Sequence, residues 1–161
     1  MTISEYNKTV DMYADNVYRF IFKSIGDKAK AQDIVQDTFE KLWIKKDIVS
    51  YEKAKSYLFT ASYHTMIDLI RKEKRATNFE IYSSIKNYET NSYSDLNDVL
   101  HEGLKRLPES QRSALLLYDY EGYSYKEIAE ITGMSESQVK VYIYRGRIAL
   151  RKYIVKLDIV L

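Results

Sequence analysis

The sequence predicts an all-α protein of two small helical domains joined by a flexible linker, the second domain containing a helix-turn-helix. Three observations carry this reading. Apolar residues recur at helical spacing in several separate stretches, and nowhere does the alternation of a β-strand persist. The 161 residues include one Pro and five Gly, so helices meet few breakers. Residues 77–97, TNFEIYSSIKNYETNSYSDLN, are rich in Ser, Asn, Thr and Tyr and lack the spacing of an amphipathic helix. The expected division is therefore 1–77, a linker over 78–96, and 97–161.

The elements follow in order. Residues 27–43 place Ile34, Val35, Phe39 and Leu42 on one face, with Asp33, Gln36, Asp37 and Glu40 on the other. Residues 55–75 put Leu58, Ala61, Thr65 and Leu69 on a stripe expected to be buried. Beyond the linker, Val99, Leu100, Leu104 and Leu107 continue the helical rhythm up to Pro108, which suits the start of a helix over 109–120. Ser124 with Glu127, and Ser135 with Gln138, each have capping-box spacing and mark two helix starts. Gly133 between them can take the positive φ that ends one helix and turns into the next. A helix of about eight residues, a glycine turn and a second capped helix make a helix-turn-helix, whose second helix enters the DNA major groove.

That second helix sorts by face. Val139, Ile143, Gly146, Leu150 and Tyr153 are expected inside. Glu136, Ser137, Gln138, Lys140, Val141 and Tyr144 are left for base readout, and Arg145, Arg147, Arg151 and Lys152 for phosphates. A plain helical hairpin with a solvated basic face is the alternative.

The net charge of +2 conceals a pattern. Residues 51–75 hold six bases and three acids, and residues 135–161 six and two, whereas 76–101 hold one base and four acids. In the first basic block Tyr51, Tyr57, Phe59 and Tyr63 interleave with Lys53, Lys55, Arg71, Lys72, Lys74 and Arg75. Rings for stacking beside cations for the backbone suit single-stranded or flipped nucleotides. Tyr57, His64 and Arg71, seven apart, share one face. The acidic face of Asp33, Gln36, Asp37 and Glu40 repels DNA, so its expected partner is a protein with basic side chains.

Several classes are disfavoured. With no Cys, the chain forms neither disulfides nor zinc-thiolate sites. The apolar runs are far shorter than the roughly 20 residues of a membrane span, and the N-terminus lacks the pattern of a secretion signal, so a cytoplasmic location is expected. His64 with Asp68 at i, i+4 has no further ligand to complete a metal site, and Asp33 with Asp37 lacks a neighbouring nucleophile or base. An enzyme is not expected, nor a metal, cofactor or small-molecule substrate.

Three stretches taken together resemble the extracytoplasmic-function sigma factors, the small two-domain branch of the bacterial sigma-70 family. They are residues 33–43 (DIVQDTFEKLW), residues 56–75 (SYLFTASYHTMIDLIRKEKR), and residues 104–108 (LKRLP) followed by 123–129 (YSYKEIA) and 135–140 (SESQVK). The resemblance implies that 1–77 is a region 2 domain, which holds core RNA polymerase and the promoter −10 element, and that 97–161 is a region 4 domain, which reads the −35 element. It implies that Asp33, Gln36, Asp37 and Glu40 dock on the clamp helices of the polymerase β′ subunit. The loop from Ile48 through Tyr51 to Lys55, with Tyr57 and His64, would form a pocket for a flipped −10 base, and Arg71, Lys72, Lys74 and Arg75 would lie on nearby phosphates. The implied partners are the β′ and β subunits of core polymerase, promoter DNA and an anti-sigma factor. Where the family usually has Trp and Asn this chain has Tyr57 and His64, and Gly146 stands where Ala is usual. A conventional helix-turn-helix regulator is the rival; it would bind specific duplex DNA without polymerase.

Overall fold

Thr2 and Glu5 form a reciprocal capping box, with Glu5 N–H donating to Thr2 Oγ1 at 3.1 Å and Thr2 N–H to Glu5 Oε1 at 2.9 Å. They open helix α1, Ile3–Ile25, which Gly26 closes in the left-handed conformation at φ 70°. The computed structural model describes residues 1–79 and 96–160. Helix α1 has no counterpart among the sequence expectations. Its buried stripe of Val17, Phe20 and Ile21 is interrupted by Thr9 and Ser24, which blur the apolar period. Both hydroxyls are satisfied within the helix, donating to Glu5 O at 2.8 Å and Phe20 O at 2.7 Å.

Asp27 accepts from Lys30 N–H at 3.0 Å and caps α2, Lys28–Ile44. Ile34, Phe39 and Leu42 are buried as expected, with Val35 half-buried. A 3-10 turn over Tyr51–Lys53 leads into α3, Ala54–Phe79. Here the expected stripe is corrected. Leu58 is buried, but the rest of the buried face is Phe59, Ser62, Tyr63, Met66 and Ile67, while Ala61, Thr65 and Leu69 are half-exposed. The reason is tertiary: α3 packs against α1 and α2 and also against a helix of the second bundle, which turns its buried face away from the most aliphatic stripe.

The second bundle contains α4 (Leu96–Lys105), α5 (Glu109–Asp119), α6 (Tyr125–Thr132) and α7 (Glu136–Val160). Pro108 is the N-cap of α5. Because α3 extends to Phe79 and α4 begins at Leu96, the expected linker is corrected to helix at 78, 79 and 96; the rest of it lies outside the described residues. No strand occurs among the described residues.

The long α7 packs on α4, α5 and α6. Gly103 lets α4 approach it, since a Cβ there would fall 2.5 Å from Leu150 Cδ1. Gly146 differs: a Cβ would meet Gln111 O at 3.6 Å and Leu107 Cδ1 at 3.8 Å, ordinary contact distances. Gly146→Ala is therefore expected to stabilise the protein by about 0.5–1 kcal/mol, read as a higher urea midpoint at unchanged m-value.

The two bundles also pack on each other. Helix α1 meets α4 and α5, and α3 meets α6, so one apolar core runs from Val17 to Ile143. Arg19 forks onto Glu121, with Nε–Oε1 and Nη2–Oε2 both at 3.1 Å. Lys23 Nζ lies 3.6 Å above the Tyr120 ring, and His101 of α4 stacks on Phe22 at 5.4 Å. Burial, chiefly, and the nearby Lys105 and Lys23 lower the His101 pKa; Glu102 and Asp98 oppose them. A depressed histidine pKa means that the unfolded chain binds the proton more readily, so stability falls as pH drops below the ordinary histidine value. A thermal denaturation series from pH 7.5 towards pH 5 is expected to show that loss, and His101→Phe to reduce it.

Candidate nucleic-acid and polymerase interfaces

The helix-turn-helix forms by the predicted local chemistry. Ser124 Oγ accepts from Glu127 N–H at 3.1 Å and Glu127 returns the bond to Ser124 N–H at 3.0 Å. After α6, Gly133 takes φ 77° and donates to Ala129 O at 2.9 Å. Ser135 and Gln138 repeat the reciprocal pair at 3.1 and 3.0 Å. Val139, Ile143 and Gly146 are buried and Leu150 and Tyr153 half-buried, so Glu136, Ser137, Gln138, Lys140, Val141, Tyr144, Arg145, Arg147 and Arg151 all stand exposed on α7.

Two of these side chains are already engaged. The Gln138 carbonyl is taken up by its cap. Arg147 is held by Asp119, with Nη2–Oδ1 at 2.5 Å and Nε–Oδ2 at 3.3 Å. It also lies over Tyr118, whose ring stacks on Tyr125 at 4.9 Å and 10°. Lys140 Nζ is 5.5 Å from the Tyr125 centroid. Two cations of α7, two turns apart, thus flank a tyrosine pair supplied by α5 and α6. Asp119, Tyr118 and Tyr125 were not singled out in the sequence. The stack forms only when Gly122 and Tyr123 turn the chain between the two helices, and no spacing rule reports it.

On the first bundle, Ile48 is 85% exposed. It lines a cleft of about 670 Å³ with Val49, Ser50, Lys53, Ser56, Tyr57, Thr60 and, from the other bundle, Glu130. Tyr57 and Tyr51 are half-buried, and His64, Arg71, Lys72, Lys74 and Arg75 are exposed along α3. Three sequence expectations change. Phe59 and Tyr63 are buried, at 0% and 6% exposure, and offer no face for base stacking; burial pushes the Tyr63 hydroxyl up to about 12. Lys55 is half-buried, its Nζ 4.9 Å from the Tyr123 centroid and 6.0 Å from that of Tyr13.

Along α2, Asp33, Gln36 and Glu40 are exposed and Asp37 half-exposed, one continuous polar face. Lys41 Nζ pairs with Asp37 Oδ2 at 2.9 Å and reaches Thr65 Oγ1 at 3.1 Å. An exposed i, i+4 pair contributes a few tenths of a kcal/mol and can be exchanged for an external cation. His64 and Asp68 remain on the surface, and no group of three His, Asp or Glu suited to a metal occurs among the described residues.

Comparison with known proteins gives two ordered matches, "Sigma-70 region 2" over residues 9–76 and "Sigma-70, region 4" over residues 97–150. The ECF RNA polymerase sigma factor SigM of Bacillus subtilis is 31% identical over 156 residues, 94% of each chain. This chain belongs to the ECF sigma factors. RNA polymerase sigma factor SigV of Bacillus subtilis is 30% identical over 150 residues, 91% of this chain and 89% of that one. The fold of this sigma factor is shared with RpoE of Bartonella quintana, solved with the anti-sigma factor NepR, at TM-score 0.81 and 24% identity over 94% and 98% of the two chains. CnrH, solved with the cytosolic domain of CnrY, follows at TM-score 0.69 and 23% identity, covering 94% and 88%. The helix-turn-helix of this sigma factor lies in its region 4 match, and the residues of the Ile48 cleft other than Glu130 lie in its region 2 match. Among the described residues no helix is long and apolar enough to cross a membrane.

Proposed function

We propose that this ECF sigma factor directs core RNA polymerase to its promoters through three faces and carries out no catalysis of its own. The α2 face of Asp33, Gln36, Asp37 and Glu40 docks on the polymerase β′ subunit. The Ile48 cleft, with Tyr51, Lys55, Tyr57 and His64, captures an unstacked −10 base while Arg71, Lys72, Lys74 and Arg75 hold the backbone. The exposed face of α7 reads the −35 element. The domain division is that of the sequence reading, 1–77 and 97–161 about a linker, and the place of action is the cytoplasm, with polymerase. One structural relative, RpoE, is bound to an anti-sigma factor, and a partner of that kind is proposed here too. The observation that carries the proposal is the two sigma matches in order on one chain, with the reading face of the helix-turn-helix exposed.

Run-off transcription with purified core polymerase tests it. Asp37→Ala combined with Asp33→Ala is expected to lower polymerase affinity about tenfold and leave duplex binding by α7 intact. Lys140→Glu is expected to do the reverse, lowering −35 affinity at least about tenfold and flattening its salt dependence. Specific duplex protection by the protein alone, with no polymerase-dependent transcription from any promoter of the source genome, would refute the proposal.

A further inference from the structure

Tyr51 is tied to α1 by one weak hydrogen bond. It stands between Ser50 and Lys53, which both line the Ile48 cleft, and its hydroxyl donates to Met12 Sδ at 3.8 Å. It also opens the 3-10 turn, in which Lys53 N–H donates to Ser50 O at 3.1 Å, and this turn packs on both α1 and α3. Met12 is 55% exposed, whereas Met66 is fully buried and Met1 and Met134 are half-buried. With no Cys in the chain, the four thioethers are the side chains most readily oxidised by two electrons, and Met12 is the most open of them to solvent.

We propose that Met12 and Tyr51 form a redox switch on the −10 surface: hydrogen peroxide converts the Met12 thioether to the sulfoxide, which holds the Tyr51 hydroxyl on α1 and withholds its ring from promoter DNA. The second half of this inference rests on the assignment of Tyr51 to the −10 element. In the reaction the sulfur lone pair attacks one peroxide oxygen, and the S–O bond forms as the O–O bond breaks. The other oxygen leaves as hydroxide and takes the proton of the first, giving water. Sulfur gives up two electrons and the peroxide receives them.

A thioether sulfur is a weak acceptor, so in the reduced protein Tyr51 leaves it with little loss and its ring is available to a base. The sulfoxide is polar, and its oxygen is a far better acceptor. The 3.8 Å separation admits that oxygen between sulfur and hydroxyl after a small rotation of the flexible Met side chain, since an O–H···O bond spans about 2.7 Å. Because Met12 is exposed, the new polar group keeps water on its free side, and the core is not disturbed as it would be by oxidation of Met66. Methionine sulfoxide reductases, one for each epimer, reset the contact.

The full-length protein is treated with hydrogen peroxide, the excess is removed with catalase, and chemistry, local structure and transcription are then read. Peptide mass spectrometry is expected to find Met12 oxidised before Met134 and Met66. Amide exchange over residues 51–54 is expected to slow by about fivefold in wild type, the effect of one ordinary hydrogen bond. Tyr51→Phe, which is oxidised at Met12 but has no hydroxyl to hold, is expected to show no slowing. Run-off transcription with untreated core polymerase is expected to fall about fivefold when wild type is oxidised and to recover with the reductases. Met12→Leu and Tyr51→Phe, each compared with its own untreated sample, are expected to show no fall. Met12 oxidised no faster than Met134, unchanged exchange in wild type carrying the sulfoxide, or an equal loss of transcription in either variant overturns the inference. Untreated wild type keeps the two conclusions apart: if it directs transcription while these arms fail, only the switch falls. If it directs none, the sigma reading falls, and the exchange arm still decides whether the sulfoxide holds Tyr51.

Discussion

Phe59→Ala is expected to lower the free energy of unfolding by about 3–5 kcal/mol, the range for removing a fully buried aromatic side chain. Phe59 is completely buried and lies 5.8 Å from Phe20 and 5.2 Å from Tyr123, so one ring joins α1, α3 and the turn before α6. The residue also discriminates between two readings of the aromatic run in α3. A ring used for base stacking would, on truncation, lose DNA affinity and leave stability nearly unchanged. A core ring does the opposite. Urea denaturation with single-strand binding measured per folded molecule separates them, and a stable Phe59→Ala protein that no longer binds DNA would contradict the packing described here.

Arg112→Met is expected to cost about 3 kcal/mol and to uncouple the two bundles. The guanidinium donates to Leu104 O at 2.8 Å, Lys105 O at 3.1 Å and Leu107 O at 2.8 Å, and to Ser24 O. The Ser24, Leu104 and Lys105 carbonyls sit at the C-terminal ends of α1 and α4, where helices leave acceptors unpaired and where the macrodipole favours a cation, and that of Leu107 lies in the turn after α4. Met fills similar volume but donates nothing, leaving four carbonyls short of a charge-assisted bond each. Lys retains the charge without the planar fork and should restore only part of the loss. In wild type the shared core and this latch favour a single unfolding transition. The Met variant is expected to unfold in two steps by circular dichroism, with faster amide exchange first in α1 and α4; a single unshifted transition would show that the latch contributes nothing.

Much of the site was legible in residue order because it depends on local chemistry. Capping pairs at Ser124 and Ser135, the left-handed Gly133 and the inward row Val139, Ile143 and Gly146 each depend on neighbours within a few residues, and all formed as read. The acidic face of α2 was equally plain, since side chains three and four apart share a helix face whatever packs behind it. Helix α1 was not, because Thr9 and Ser24 sit in its buried stripe and satisfy themselves by backbone bonds that composition does not reveal. The aromatic run of α3 was read as a stacking surface when part of it is core. A ring beside a cation looks the same in sequence whether the ring faces solvent or a second bundle.

The sequence by itself therefore determined the helices after α1, the helix-turn-helix and the basic and acidic faces, consequences of spacing along single segments, and its three stretches taken together carried the resemblance to the sigma-70 family. The tertiary structure alone decided which tyrosines are buried, that Asp119 holds Arg147, and that Glu130 lines the Ile48 cleft. The physical reason is range. Caps and helix faces are fixed within a turn or two, whereas the joining of the two bundles depends on pairs such as Arg19 with Glu121 and Arg112 with Ser24, whose partners lie far apart in sequence and meet only once both cores have formed.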